Sequence, residues 1–133
     1  MSQENVEIVR QLVQAYDRGD LEGMVSLIDP DGELHSAIVG GAEGSVYRGA
    51  EGLRKWYARA YGSFEELRNE WSEFRDLGDR VLALGHVKAR ARESGVELDS
   101  PLGWLFTVRD GKVVRSEFFL SHAHALKAAG LRE

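Results

Sequence analysis

The sequence predicts an α+β fold in which helices cover one face of a curved antiparallel sheet, and three observations carry the prediction. Apolar residues recur at spacings of three and four through the first half of the chain, the helical period. From Leu67 onward the period changes to two, the period of half-buried strands. The breakers "LGD", "SG" and "DG" divide that second half into segments of hairpin length. Helices first and strands afterwards pack as separate layers.

The first helix is read over residues 4–18, where Val6, Val9, Leu12, Val13 and Tyr16 form one apolar stripe. Gly19 stops it and Asp20 caps a second helix, because a short acidic side chain accepts the unpaired amides of a first turn. Leu21, Met24, Val25 and Ile28 give that helix its buried side. "DPDG" at 29–32 reads as a turn that reverses the chain, followed by a short strand at 33–36. "IVGGAEGS" is a glycine-rich loop with little backbone preference. A third helix begins after Gly49 and carries Leu53, Trp56, Tyr57, Ala60 and Phe64. Strands follow at 67–76, 80–93, 96–109 and 112–120, an antiparallel meander, and Ser121 caps a last helix containing Ala123, Leu126 and Ala129.

The period of two sorts the sheet into faces. Leu98, Leu102, Trp104, Phe106 and Val108 fall on one side of their strand and face the helices, with Ser116 and Phe118 beside them on the next strand. The preceding strand opposes them with the small set Val81, Ala83, Gly85, Val87, Ala89 and Ala91. Bulky rings against small residues leave room for a pocket. The opposite face carries Leu82, Leu84, Leu105 and Phe119 together with His86 and Arg90, a mix that is costly when exposed and therefore predicts a homodimer through that face.

Bulk properties bound the function. A chain of 133 residues that is 43% hydrophobic and 29% charged reads as one globular domain over 1–133. No stretch approaches the roughly 20 apolar residues of a membrane span, and "MSQENVEIVRQLV" lacks the features of an export signal, so a cytoplasmic location is expected. The absence of cysteine excludes disulfides, thiolate metal sites and cysteine nucleophiles. A net charge of −5 argues against nucleic acid as partner, since phosphate binding needs a concentrated basic surface.

The phrases "YDRGDLEGMVSLIDPDGELH", "YRGAEGLRKWY", "DLGDRVLALG" and "FTVRDGKVVRSEFF" occur in an order that resembles the SnoaL-like branch of the nuclear transport factor 2-like superfamily. The resemblance implies a cystatin-like cone, a strongly curved sheet around the N-terminal helices with a cavity at its wide end. It also implies positions for catalytic groups, which this chain fills differently. Where ketosteroid isomerase has its tyrosine, its base and its protonated aspartate, this sequence has Leu12, Ser36 and Trp104; where SnoaL cyclases have histidine and aspartate on the last strand, it has Ser116 and Phe118. A one-residue slip in the short strand puts His35 at the base position.

The candidate site is therefore an aromatic-lined pocket. Tyr16, Trp56, Tyr57, Trp71, Leu102, Trp104, Phe106 and Phe118 supply its apolar wall, and Ser36, Asn69 and Ser116 its sparse polar anchors. His35 is the candidate for proton transfer, since an imidazole exchanges protons near neutral pH. His122 and His124 lie two apart at a helix start, where side chains diverge, so no metal site is expected, nor any organic cofactor. Two readings stand: a pocket protein that binds a compact, mainly apolar metabolite, and a cofactor-independent isomerase, cyclase or hydrolase working by proton transfer in the same pocket. The replaced acid and base positions favour binding.

Overall fold

A computed structural model describes residues 2–36 and 45–131. In chain order the elements are α1 (Ser2–Asp17), α2 (Leu21–Val25), β1 (Ile28–Ser36), β2 (Ser45–Arg48), α3 (Gly49–Gly62), β3 (Phe64–Asp76), β4 (Arg80–Ala91), β5 (Glu97–Arg109), β6 (Lys112–Phe119) and α4 (His122–Ala128). The strands form one sheet in the order β2-β1-β6-β5-β4-β3. The meander from β3 to β6 is as the breakers predict; β1 joins its end by pairing parallel to β6, and β2 pairs antiparallel to β1. Among the described residues, no helix is long and apolar enough to cross a membrane.

The helix boundaries follow local chemistry. Gly19, at φ 77°, lets the end of α1 turn back on itself: its own amide donates to the Tyr16 carbonyl and the Asp20 amide to that of Ala15. Asp20 Oδ1 then accepts from the Gly23 amide at 2.9 Å and starts α2. Ser121 Oγ does the same for α4, accepting from the His124 amide at 3.1 Å.

The structure departs most from the sequence reading at four places. α2 ends at Val25, and Ile28 opens β1 instead of closing the helical stripe. "DPDG" does not reverse the chain; its turn chemistry survives as a bond from the Asp31 amide to Asp29 Oδ1 and as a break in the β1–β6 register between Ile28 and Glu33. Phe64 belongs to β3, not to α3. β2 has no counterpart in the reading, and the glycine-rich segment before it lies, up to residue 44, outside the described residues.

Register breaks in β3 between Trp71 and Glu73, and in β6 at Val114 opposite Thr107 and Val108, are sites of the extra bending that wraps a sheet around its helices. The concave face packs on α1 and α3 in one core that includes Val9, Leu12, Val13, Tyr16, Trp56, Leu102, Trp104, Phe106 and Phe118. The opposite face has its own smaller core. Leu82, Leu84 and Leu105, which the sequence reading leaves exposed for a partner, are buried under Ala125, Leu126 and Ala129 of the C-terminal segment, with Phe119 packed at the edge. The exposed apolar patch that argued for a homodimer is therefore covered by the chain itself.

Gly103 makes that cover possible, because a Cβ there would stand 2.4 Å from the Ala125 Cβ. Replacing it (Gly103→Val) is expected to push α4 off the sheet at a cost of about 1–3 kcal/mol, the range for overpacking a filled site. The urea midpoint should fall and binding of a hydrophobic dye should rise as Leu82 and Leu105 open to water. An unchanged midpoint would show that α4 does not depend on this close approach.

Candidate functional site

The sheet register assembles the site in rows. Phe74, Ala83, Trp104, Phe118 and Ser36 are successive cross-strand partners on β3, β4, β5, β6 and β1. The next row brings together Val81, Phe106, Ser116, Leu34 and Tyr47, and on the other side Trp71 lies opposite Gly85 and Leu102. The small residues of β4 thus lie beside the large ones of β5, as the faces predict.

That room is occupied by the protein's own rings. Trp104, 1% exposed, stands with its ring centroid 4.8 Å from Phe106, 4.8 Å from Phe118, 5.1 Å from Tyr16, 5.7 Å from Trp56 and 6.3 Å from Trp71. Trp56 also stacks on Tyr16 at 5.5 Å and donates its indole N–H to Ser36 Oγ at 2.9 Å, tying α3 to β1. Two small voids of about 20 Å³ each remain, room for about one water apiece. One lies among Leu12, Met24, Leu34, Phe106, Val113 and Ser116; the other lies among Tyr16, Asn69, Leu98, Leu102 and Phe118, toward the open ends of the strands.

All the residues assigned to the pocket wall by sequence lie in or beside this cluster. Tyr57 is half-buried at its edge, stacked on Tyr61 at 4.4 Å. Of the polar anchors, Ser36 is taken by Trp56, Ser116 is buried beside the first void, and Asn69 lines the second. His35 is placed elsewhere. Leu34 and Ser36 point into the core, so the alternation sends His35 to the outer face, where its Nε2 meets Glu33 Oε1 at 3.0 Å. Arg48 also pairs with Glu33, at 2.9 Å, and Arg115 lies 3.9 Å away. The His35 hydrogen bond, reinforced by Arg48, holds the Glu33 carboxyl below its ordinary range. The proton-transfer candidate of the sequence reading therefore sits in a solvated ion cluster and does not line either void. His122 and His124 diverge: His122 Nε2 lies 2.7 Å from the Gly85 carbonyl and His124 is exposed. Among the described residues no three potential ligands converge on a metal position.

One carboxyl group near the cluster escaped the sequence reading. Asp17, the last residue of α1, accepts from Trp71 Nε1 at 3.1 and 3.2 Å and from Asn69 Nδ2 at 3.1 Å. Asp17 is an exposed residue, but partial burial of its carboxyl lifts it above the usual aspartate value against the pull of those two donors. A signal was present: an acid in the last turn of a helix, with no basic residue there, opposes the helix dipole and calls for another partner. The phenols nearby are poor proton carriers. Burial raises Tyr16 well above the ordinary tyrosine value and raises Tyr61 as well, and the Tyr61 hydroxyl is committed as a donor to the Tyr16 carbonyl at 2.6 Å.

Comparison with known proteins agrees with this geometry. A model of the SnoaL-like domain matches residues 9–116. Among solved structures, the chain is similar to TerC co-crystallised with polyporic acid (24% identity, 91% of this chain and 94% of that one, TM-score 0.76). It is similar to a nuclear transport factor 2-like protein from Burkholderia xenovorans (26% identity, 95% of each chain, TM-score 0.76). A protein of ketosteroid isomerase-like fold from Catenulispora acidiphila, in complex with trimethylamine, is 19% identical over 95% of this chain and 94% of that one, with a TM-score of 0.75. No match is found among curated proteins. The chain belongs to the SnoaL-like family and has its nuclear transport factor 2-like fold.

The raised Asp17 carboxyl has a thermodynamic consequence. A carboxyl that holds its proton more tightly in the folded state contributes stability that is fully present below its unfolded pKa and is lost as pH rises through the folded one. Asp17→Asn removes that loss. The stability of the variant relative to wild type should therefore increase in urea titrations as pH rises above the ordinary aspartate range. A difference that stays constant with pH would refute the raised value.

Proposed function

We propose that this SnoaL-like domain is a pocket protein that takes up a compact, mainly apolar molecule between its aromatic side chains, without acid or base chemistry of its own. The observation that carries the reading is the indole N–H of Trp104, a buried donor with no hydrogen-bond partner in the middle of the ring cluster. An unmet donor costs about 1–3 kcal/mol, and a ligand oxygen or nitrogen placed against it removes that cost. Two relatives of the same fold that were crystallised with small molecules support the reading.

The voids are too small for anything beyond a water, so entry requires side chains to part. The half-buried Leu67, Leu98 and Leu120 around the second void are the ones with freedom to do so. The alternative, proton transfer by an isomerase, cyclase or hydrolase, has one observation in its favour, the raised Asp17 carboxyl, and would use that group instead of His35. Homodimer formation belongs to this proposal by family resemblance alone, since α4 covers the apolar patch that suggested it.

All three tryptophans of the chain lie in the cluster, so intrinsic fluorescence reports on the pocket directly. Acetophenone, a flat molecule with one acceptor, should quench it and bind more tightly than ethylbenzene, which has none. Trp104→Phe keeps an aromatic ring but removes the N–H; it should reduce the acetophenone advantage by about tenfold, the worth of one hydrogen bond. His35→Ala should bind both probes as wild type does. If neither probe binds at millimolar concentration and native mass spectrometry finds no co-purified molecule, the pocket reading fails.

A further inference from the structure

Among the described residues, two buried side-chain polar atoms lack a partner, Trp104 Nε1 and Asn69 Oδ1, and they ask for opposite chemistry. The indole can only donate, whereas the amide oxygen can only accept. Asn69 and Tyr16 are the residues with polar side chains around the second void, whose other walls are Ala60, Phe64, Leu98, Leu102 and Phe118 among further apolar residues.

An asparagine amide can enter a site in two orientations, and its neighbours decide which. Here Asp17 decides. Its carboxylate accepts from Asn69 Nδ2 at 3.1 Å and cannot pair with Oδ1, so the nitrogen must face Asp17 and the oxygen must face away. Trp71 holds the carboxylate in place by donating to both of its oxygens, at 3.1 and 3.2 Å, and an indole N–H has no second role to exchange. Asn69 is also the hydrogen-bonding neighbour of the Tyr16 phenol. The chain Trp71–Asp17–Asn69 thus has a fixed polarity whose free end is an acceptor.

We infer that Asn69 Oδ1 makes the second void selective for a hydrogen-bond donor, so that the ligand is a compact apolar molecule bearing a hydroxyl or N–H group, such as an alcohol or phenol, with Asp17 as the positioning residue that sets the orientation of the amide. The inference rests on the pocket reading above and adds to it the class of ligand. Trp104 lines the first void and Asn69 the second, so the amide oxygen sets the ligand chemistry of the second void independently of the indole. The methyl ether of the same molecule has no proton to give and leaves the amide oxygen bare.

Phenol and anisole test this, because they differ chiefly in the hydroxyl proton. Their dissociation constants are measured by nuclear magnetic resonance titration of 15N-labelled protein, following the three indole N–H signals and the Asn69 side-chain amide. Wild type should bind phenol about tenfold more tightly than anisole. Asn69→Leu should bring the ratio to near one with anisole affinity retained. Asp17→Asn, whose amide can both give and take, frees Asn69 to reverse; the ratio should fall toward one, while Asp17→Glu should recover part of it. Because each ratio is taken within one variant, a change in the folded fraction cancels. Equal binding of the two probes to wild type, or a tenfold ratio surviving in Asp17→Asn, overturns this inference and leaves the pocket reading standing. Binding of neither probe overturns both.

Discussion

The inner side of a sheet bent around a helix has to be filled to the density of any protein interior, and in this chain one indole at the centre does most of the filling. Trp104 projects from β5 into the space left by Ala83 and meets rings from α1, α3, β3 and β6. Close packing explains the rest of the arrangement. α1 offers Tyr16 to the edge of that indole, α3 offers Trp56 to both, and the Trp56 N–H reaches Ser36 so that β1 closes the row. The space left unfilled amounts to two water-sized voids at the cluster.

The same face that packs so tightly was the part most legible in the sequence. Alternation in β4, β5 and β6 told inward from outward residues because one side is buried along its length, and Leu102, Trp104, Phe106, Ser116 and Phe118 all proved to face the helices. Local signals with a definite mechanism also held, such as the Asp20 and Ser121 caps. Reading weakened where tertiary pairing overrides local pattern. Ile28 and Phe64 continue a helical stripe by spacing but serve as the first residues of strands, since each packs against the main core from the sheet side. "DPDG" has every feature of a turn, yet partners on β6 draw it into β1 as a bulged stretch.

The functional side chains show the same division. His35 was singled out by its chemistry, and one residue of alternation decides its fate: with Leu34 and Ser36 inward, it must point outward to Glu33. Asp17 was passed over because charges between apolar positions of a helix are usually solvated. Its partners, Asn69 and Trp71, lie 52 and 54 residues away, a separation no helical pattern can announce. The cover of the outer face was hidden for a similar reason. The apolar residues of α4 and those of β4 and β5 are each visible alone, but that they bury one another depends on the close approach at Gly103.

An energetic argument bears on why the interior is built this way. Folding leaves a margin of about 5–15 kcal/mol, and a buried polar atom without a partner takes about 1–3 kcal/mol from it. The cluster contains one such donor and the second void one such acceptor; leucine in place of Asn69 would remove its penalty at nearly unchanged volume, whereas phenylalanine in place of Trp104 would exchange its penalty for a cavity. Packing accounts for the bulk of Trp104 but not for its unmet N–H, nor for Asn69, and native structures rarely leave such groups unmet without a use. One ordered water in each void is the smallest guest that can meet them, Trp104 lining the first void and Asn69 the second. The ring cluster itself limits what else could do so: a guest must be flat enough to slide between indole and phenyl faces, and polar at no more than one or two atoms.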